Sequence, residues 1–183
     1  GGTISVSTIG NRGVAGNCGM GTNLYFANTC RLLYTGTGED TDRLIVLNND
    51  PPIEQAGPSG TLRFKTTPLL SGTRTLTLQG STAGVGEFSA PLANNGGTLN
   101  IKKAGEGTWV FSATNTYTGT TTVNGGKLLI NRPGVLNSGS AVTVATGAVL
   151  GGNGIVNGAV TVNAGGLLSP GDVSADTLSL GGA

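Results

Sequence analysis

Triplets of the form apolar, any residue, apolar recur along this 183-residue chain, and the distance over which they return most limits what it can fold into. They are Ile4-Ser5-Val6, Leu24-Tyr25-Phe26, Leu44-Ile45-Val46, Leu62-Arg63-Phe64, Leu76-Thr77-Leu78, Leu99-Asn100-Ile101, Thr121-Thr122-Val123, Val142-Thr143-Val144, Val160-Thr161-Val162 and Leu178-Ser179-Leu180. Successive triplets begin 14 to 23 residues apart. Alternation with a period of two is the mark of a strand, and no window carries helical apolar spacing over three turns. Between the triplets lie turn formers, as in "NGGKLL", "ATGAVLGGNG" and "NAGGLLSPG". A sandwich of hairpins needs a turn signal about every 8 to 12 residues. Here the similarity returns only after about twenty, the length of a whole coil of two or three short strands. The expectation is an all-β parallel β-solenoid, one unit over residues 1–183, with about 20 residues per rung. Ten triplets stacked at about 4.8 Å would give nine to ten rungs in a rod roughly 45 Å long.

Stacking accounts for the composition. The first and third residues of each triplet are expected to face inward and the middle one outward, so that Ser5, Tyr25, Ile45, Arg63, Thr77, Asn100, Thr122, Thr143, Thr161 and Ser179 form the outer column. The 34 glycines suit tight corners, while only 10% of residues are charged and 37% are hydrophobic. A disordered chain carries more charge and less Val, Ile and Leu, and collagen needs a strict three-residue glycine period. Net charge is +1, which calls for neither a nucleic acid nor an anionic membrane. No 18-residue apolar span, cleavable signal or transit peptide is visible. The Gly-Gly start points to a processed piece of a longer protein. Cys18 and Cys30 belong to a loop-rich stretch within the N-terminal rungs, residues 1–30. With no CxxC spacing and no His, they point to a disulfide formed in an oxidising compartment rather than to a metal site. Two buried free thiols are the alternative.

The run "GGTLNIKKAGEGTWVFSATNTYTGTTTVNGGKLLI", residues 96–130, resembles the passenger-associated repeat of bacterial autotransporters and related large secreted surface proteins. That pattern is close to K-x-G-x-G-T-x-x-L-x-x-x-N-x-Y-x-G-x-T-x-x-x-x-G-x-L. Lys103, Gly105, Gly107, Thr108, Asn115, Tyr117, Gly119, Thr121, Gly126 and Leu128 fall on it, Trp109 lies within it, and Phe111 stands where Leu is usual. The flanks "LGGNGIVNGAVTVNAGGLLSPG" and "YTGTGEDTDRLIVL" are similar to segments that follow and precede such repeats. Residues 173–175 depart from the usual second Pro-Gly, so that corner is expected to be shaped differently. The resemblance covers roughly residues 31–180. It implies a right-handed parallel β-helix, exported and displayed on or released from a bacterial surface, in which the repeat is a structural stem with no catalytic residue and no cofactor.

Other constellations were weighed against that reading. Glu39, Asp40 and Asp42 beside Arg43 are a candidate Ca2+ cluster, although no D-x-D-x-D-G loop accompanies them, and a solvated corner with an Asp-Arg pair is the plainer reading. Glu87 and Glu106, nineteen residues apart, would serve as acid and base of a carbohydrate-active enzyme if one rung set them side by side. Trp109, Phe111, Tyr117, Tyr25 and Tyr34 would make a glycan-stacking surface if exposed, and core members if not. Thr122, Thr143 and Thr161 form a short ladder of the kind that ice-binding solenoids extend, interrupted here by Asn100 and Arg63. Both end rungs read as ordinary rungs, which points to end-to-end association or to neighbouring domains of a longer chain.

Overall fold

Short strands of Val, Leu, Ile, Thr and Phe, two to seven residues long and broken by glycine corners, stack in parallel on the next copy of themselves. The fold is taken from a computed structural model, which describes residues 2–28, 30–80, 83–171 and 176–181. It is a parallel β-solenoid of about seven turns, each about 22 residues long. The first sheet holds eight strands: Thr3–Val6, Arg31–Tyr34, Pro52–Gln55, Arg74–Gly80, Leu99–Lys103, Thr121–Val123, Val142–Val144 and Val160–Val162. The second holds seven: Glu39–Thr41, Thr61–Phe64, Val85–Phe88, Thr108–Phe111, Lys127–Ile130, Val149–Gly152 and Leu167–Pro170. A third side carries Asn23–Phe26, Leu44–Leu47 and Leu69–Leu70 in the early turns, and Val135–Leu136, Ile155–Val156 and Ser179–Leu180 in the late ones.

Register makes the core. One inward column of the first sheet runs Ile4, Leu32, Ile53, Leu78, Lys103, Val123, Val144, Val162. Its members from Leu32 to Val144 are fully or almost fully buried, and its two ends, Ile4 and Val162, are exposed. In the second sheet Leu62, Gly86, Trp109, Leu128 and Leu150 form one inward column and Phe64, Phe88, Phe111 and Ile130 another. Each buried Val, Leu, Ile or Phe contributes roughly 1.5–3 kcal/mol of hydrophobic stabilisation.

Two expectations need correction. The ten triplets do not make nine to ten rungs, because they lie on different sides of the coil: Leu24-Tyr25-Phe26 and Leu44-Ile45-Val46 on the third side, Leu62-Arg63-Phe64 on the second sheet. Eight strands at about 4.8 Å give a first sheet about 34 Å tall. The outer column also shifts. Ile45 is buried and pairs with Leu24, so Val46 takes the outward phase. Beside Thr77 and Thr122 stands Lys102, because Ile101, and not Leu99, pairs with Leu76 and Thr121. A slip of two residues leaves every side chain on its own face, so alternation cannot detect it. The corner at residues 172–175 lies outside the described residues.

Candidate functional site

In the segment 99–136 the polar side chains of Lys103, Asn115, Tyr117 and Thr121 are buried inside the coil. In the strand Leu99–Lys103, Leu99, Ile101 and Lys103 share the inward phase, so the sequence carries a lysine into the core column. Lys103 is fully buried, and its Nζ donates to the carbonyl oxygens of Ala104 (2.8 Å), Gly105 (2.8 Å) and Gly125 (2.9 Å). The three N–H donors of an ammonium are thereby all taken, and the corner of this turn is tied to the corner of the next. Burial pushes the Lys103 ammonium down to about 8, with the Glu106 carboxylate opposing the shift.

Asn115 does the same work at the opposite corner. It is buried; its Oδ1 accepts from the Leu92 amide one turn back, and its Nδ2 donates to the carbonyls of Ala113 and Val135, the latter one turn on. Tyr117 is buried too, and its hydroxyl meets Thr121 Oγ1 at 2.7 Å, which meets Ser140 Oγ at 3.0 Å. Burial raises the Tyr117 hydroxyl to about 12. Gly105 and Gly126 adopt φ of +67° and +59° at the corners. Gly107 and Gly119 lie directly against the preceding turn, where a Cβ on Gly119 would collide with the Leu99 carbonyl. Thr108 opens the strand that holds Trp109, and Leu128 packs in register beneath that ring.

Trp109 is stacked with Phe64 and Phe88, at centroid distances of 6.4 and 5.8 Å, and its Nε1 donates to the Gln79 carbonyl. Phe111 meets Phe88 edge-on. The ring has room because its register neighbour is Gly86, where a Cβ would come within 2.5 Å of the indole. Of the eight aromatic side chains only Tyr25 is exposed; Tyr34, Trp109, Phe111 and Tyr117 are core, so the glycan-stacking alternative does not form.

The outer face of the second sheet bears a shallow groove of about 290 Å³, floored by Val85, Val110 and Leu129. Glu87 lines it, but accepts from Arg63 Nε at 2.9 Å and from Ser112 Oγ at 2.5 Å. Register places Val110 beside Glu87, and Glu106 stays in the corner before that strand, so the two carboxylates do not face each other as an acid and base. The acidic trio is separated as well. Glu39 accepts from the amides of Ile9 and Gly10, Asp42 from the amide of Arg12, and Asp40 pairs with Arg63 and Lys65. Among the described residues no group of three His, Cys, Asp or Glu converges as metal ligands. Arg43 is not the solvated partner of an aspartate: it is fully buried and donates to backbone carbonyls. Cys18 and Cys30 are half-buried, packed against the core, and not bonded to each other in the structure. On the first sheet the corrected register lengthens the outer ladder to Thr77, Lys102, Thr122, Thr143 and Thr161.

The family model of the passenger-associated transport repeat matches residues 101–130, the turn in which Lys103, Asn115 and Tyr117 are buried. The chain carries a passenger-associated repeat. It is also 33% identical over 176 residues, 91% of its length, to the adhesin BmaC autotransporter of Brucella suis biovar 1 (strain 1330). The chain spans 5% of the length of that adhesin. No solved structure gives a significant match.

The passenger-associated repeat is therefore one turn with its ties to both neighbours. Its Lys103, Asn115 and Tyr117 bond to backbone and hydroxyl groups inside the coil, which leaves them unable to meet a ligand. Two participants escape sequence reasoning. Gly86 lies outside the repeat and has meaning only through the Trp109 ring above it. Arg43 follows an acidic run and reads as surface, and its burial depends on a loop 24 to 33 residues away in sequence. The inward phase of Lys103 was accessible: Leu99-x-Ile101-x-Lys103 alternates without a break.

Proposed function

We propose that this chain is a length of non-catalytic stem from an exported bacterial surface protein, holding other parts of that protein away from the cell. The observation that carries the reading is the direction of the repeat's polar side chains: Lys103, Asn115 and Tyr117 all bond inside the coil, where they fix one turn to the next. The adhesin relationship supports a location on the cell surface or in the secreted fraction, and a role as scaffold in surface adhesion. Among the described residues no helix is long and apolar enough to cross a membrane. End-to-end assembly of separate copies and glycan binding draw no particular support from the exposed side chains.

The test is protease shaving of intact bacteria that make the full-length protein, combined with electron microscopy of the released material. The stem reading expects loss of this segment from the cells and rods that lengthen by about 4.8 Å per turn. Intracellular protection of the segment, or release of sugar from a polysaccharide panel by the 183-residue chain, would overturn it.

A further inference from the structure

Among the described residues the coil passes from the first-sheet strand Thr3–Val6 to the third-side strand Asn23–Phe26 with no second-sheet strand between them, and Glu39–Thr41 is the outermost described strand of that sheet. Residues 7–22 occupy that place without joining the ladder. An edge left bare there would offer unpaired N–H and C=O groups to any passing strand.

Residues 7–22 are instead held by side chains. Asn17 Oδ1 accepts from the amides and hydroxyls of Ser7 and Thr8, which closes the base of the loop. Ile9 is fully buried in the core. The Gly10 peptide is gripped from both sides: its N–H donates to Glu39 Oε2 at 2.9 Å, and its carbonyl accepts from Thr41 Oγ1 at 2.7 Å and Arg43 Nε at 3.2 Å. Arg43, itself fully buried, also donates to the carbonyls of Cys18, Val14 and Gly19. Arg12 and Asn11 bond across to Asp42, the residue just after the edge strand. One guanidinium thus gathers four carbonyls that have no ladder partner to take, and the loop runs along the edge in a shape no incoming strand can copy.

We propose that residues 7–22 form a strap, latched by Arg43 and Glu39, that blocks strand addition along the Glu39–Thr41 edge and opens independently of the coil. This goes beyond the stem reading and does not depend on it, since it concerns one edge of the coil whatever the whole protein does. Cys18 lies within the strap, half-buried against the core, and reports its opening.

The experiment measures alkylation of Cys18 under reducing conditions in the 183-residue chain, with Cys30 replaced by Ser in every protein compared. Thermal unfolding followed by Trp109 fluorescence runs alongside. Arg43→Met keeps an unbranched apolar stem and removes all four carbonyl bonds. Alkylation is expected to accelerate roughly tenfold or more while the Trp109 transition is retained, because hydrogen bonds to a buried charge hold the local opening shut. Glu39→Gln, which keeps Arg43, is expected to act in the same direction with a smaller effect. Sedimentation velocity of Arg43→Met at several concentrations is expected to show association that the parent chain lacks. Unchanged Cys18 alkylation in both variants would overturn the latch. Loss of the Trp109 transition together with the strap would overturn its independence, and release without association would overturn its blocking role.

Discussion

The turns before about residue 90 and those after it solve the same problem with different chemistry. Both must satisfy backbone groups at corners that sit directly on one another. In the early turns ionised side chains do this: Arg43, Glu39 and Asp42 hold the strap, and the pairs Arg31–Glu54, Arg63–Asp40, Arg63–Glu87 and Lys65–Asp40 run across the outer faces. In the later turns the charged residues thin out, and the corners are joined by Asn115, by the Tyr117–Thr121–Ser140 hydroxyl chain, by the one buried cation Lys103 among the residues of the repeat, and by glycines pressed against the turn below. The difference teaches where cooperativity should reside. Exposed ion pairs connect neighbours loosely, whereas buried polar groups must keep every partner or incur a desolvation penalty.

The comparison breaks most severely with Val144→Asp. Val144 is buried in the column between Val123 and Val162, and an unpaired carboxylate there costs several kcal/mol. Loss of the cooperative thermal transition is expected; an unchanged transition would mean the inward phase is misassigned. Next comes Asn115→Ala, which strips the partner from the buried Leu92 amide and one bond each from the Ala113 and Val135 carbonyls. A loss of about 2–3 kcal/mol in denaturant unfolding is expected, with no comparable loss from any single early ion pair.

Alkaline titration sharpens the contrast. The folded Lys103 gives up its proton near 8, below the ordinary 10.5, so between those values the unfolded chain binds more protons and stability rises with pH. The folded Tyr117 keeps its proton to about 12, above the ordinary 10, so over that window the folded chain binds more protons and stability falls. Urea midpoints are therefore expected to climb above pH 8, peak near pH 10 and decline beyond it. Lys103→Met should remove the climb and Tyr117→Phe the decline. The smallest effect belongs to Arg31→Ala, whose partner Glu54 is shared with solvent, at about 1 kcal/mol or less and fading in high salt. A loss as large as that of Asn115→Ala would erase the distinction between the two regions.

Much of this was legible beforehand and some was not, for identifiable reasons. Asn-Gly and Gly-Gly corners separating short alternating runs require a coil of stacked strands, and the repeat in 103–128 names the turn that recurs. The candidate sites were less legible. Glu39, Asp40 and Asp42 are neighbours in the chain, yet strand alternation and separate partners disperse them. Trp109 and Tyr117 suit either a surface or a core, and only the glycine at 86 and the hydroxyl chain to Ser140 decide for the core.

By itself, the sequence determined the all-β coil, the faces of side chains in cleanly alternating strands, though not in the all-apolar run Leu44–Leu47, and the repeat it carries. The tertiary structure alone decided register and turn count, because sliding a strand by two residues preserves alternation while exchanging every neighbour. It also decided the fate of Arg43. A guanidinium can be buried only where enough carbonyls converge to replace water, and that convergence exists only once the strap and the edge of the second sheet have come together.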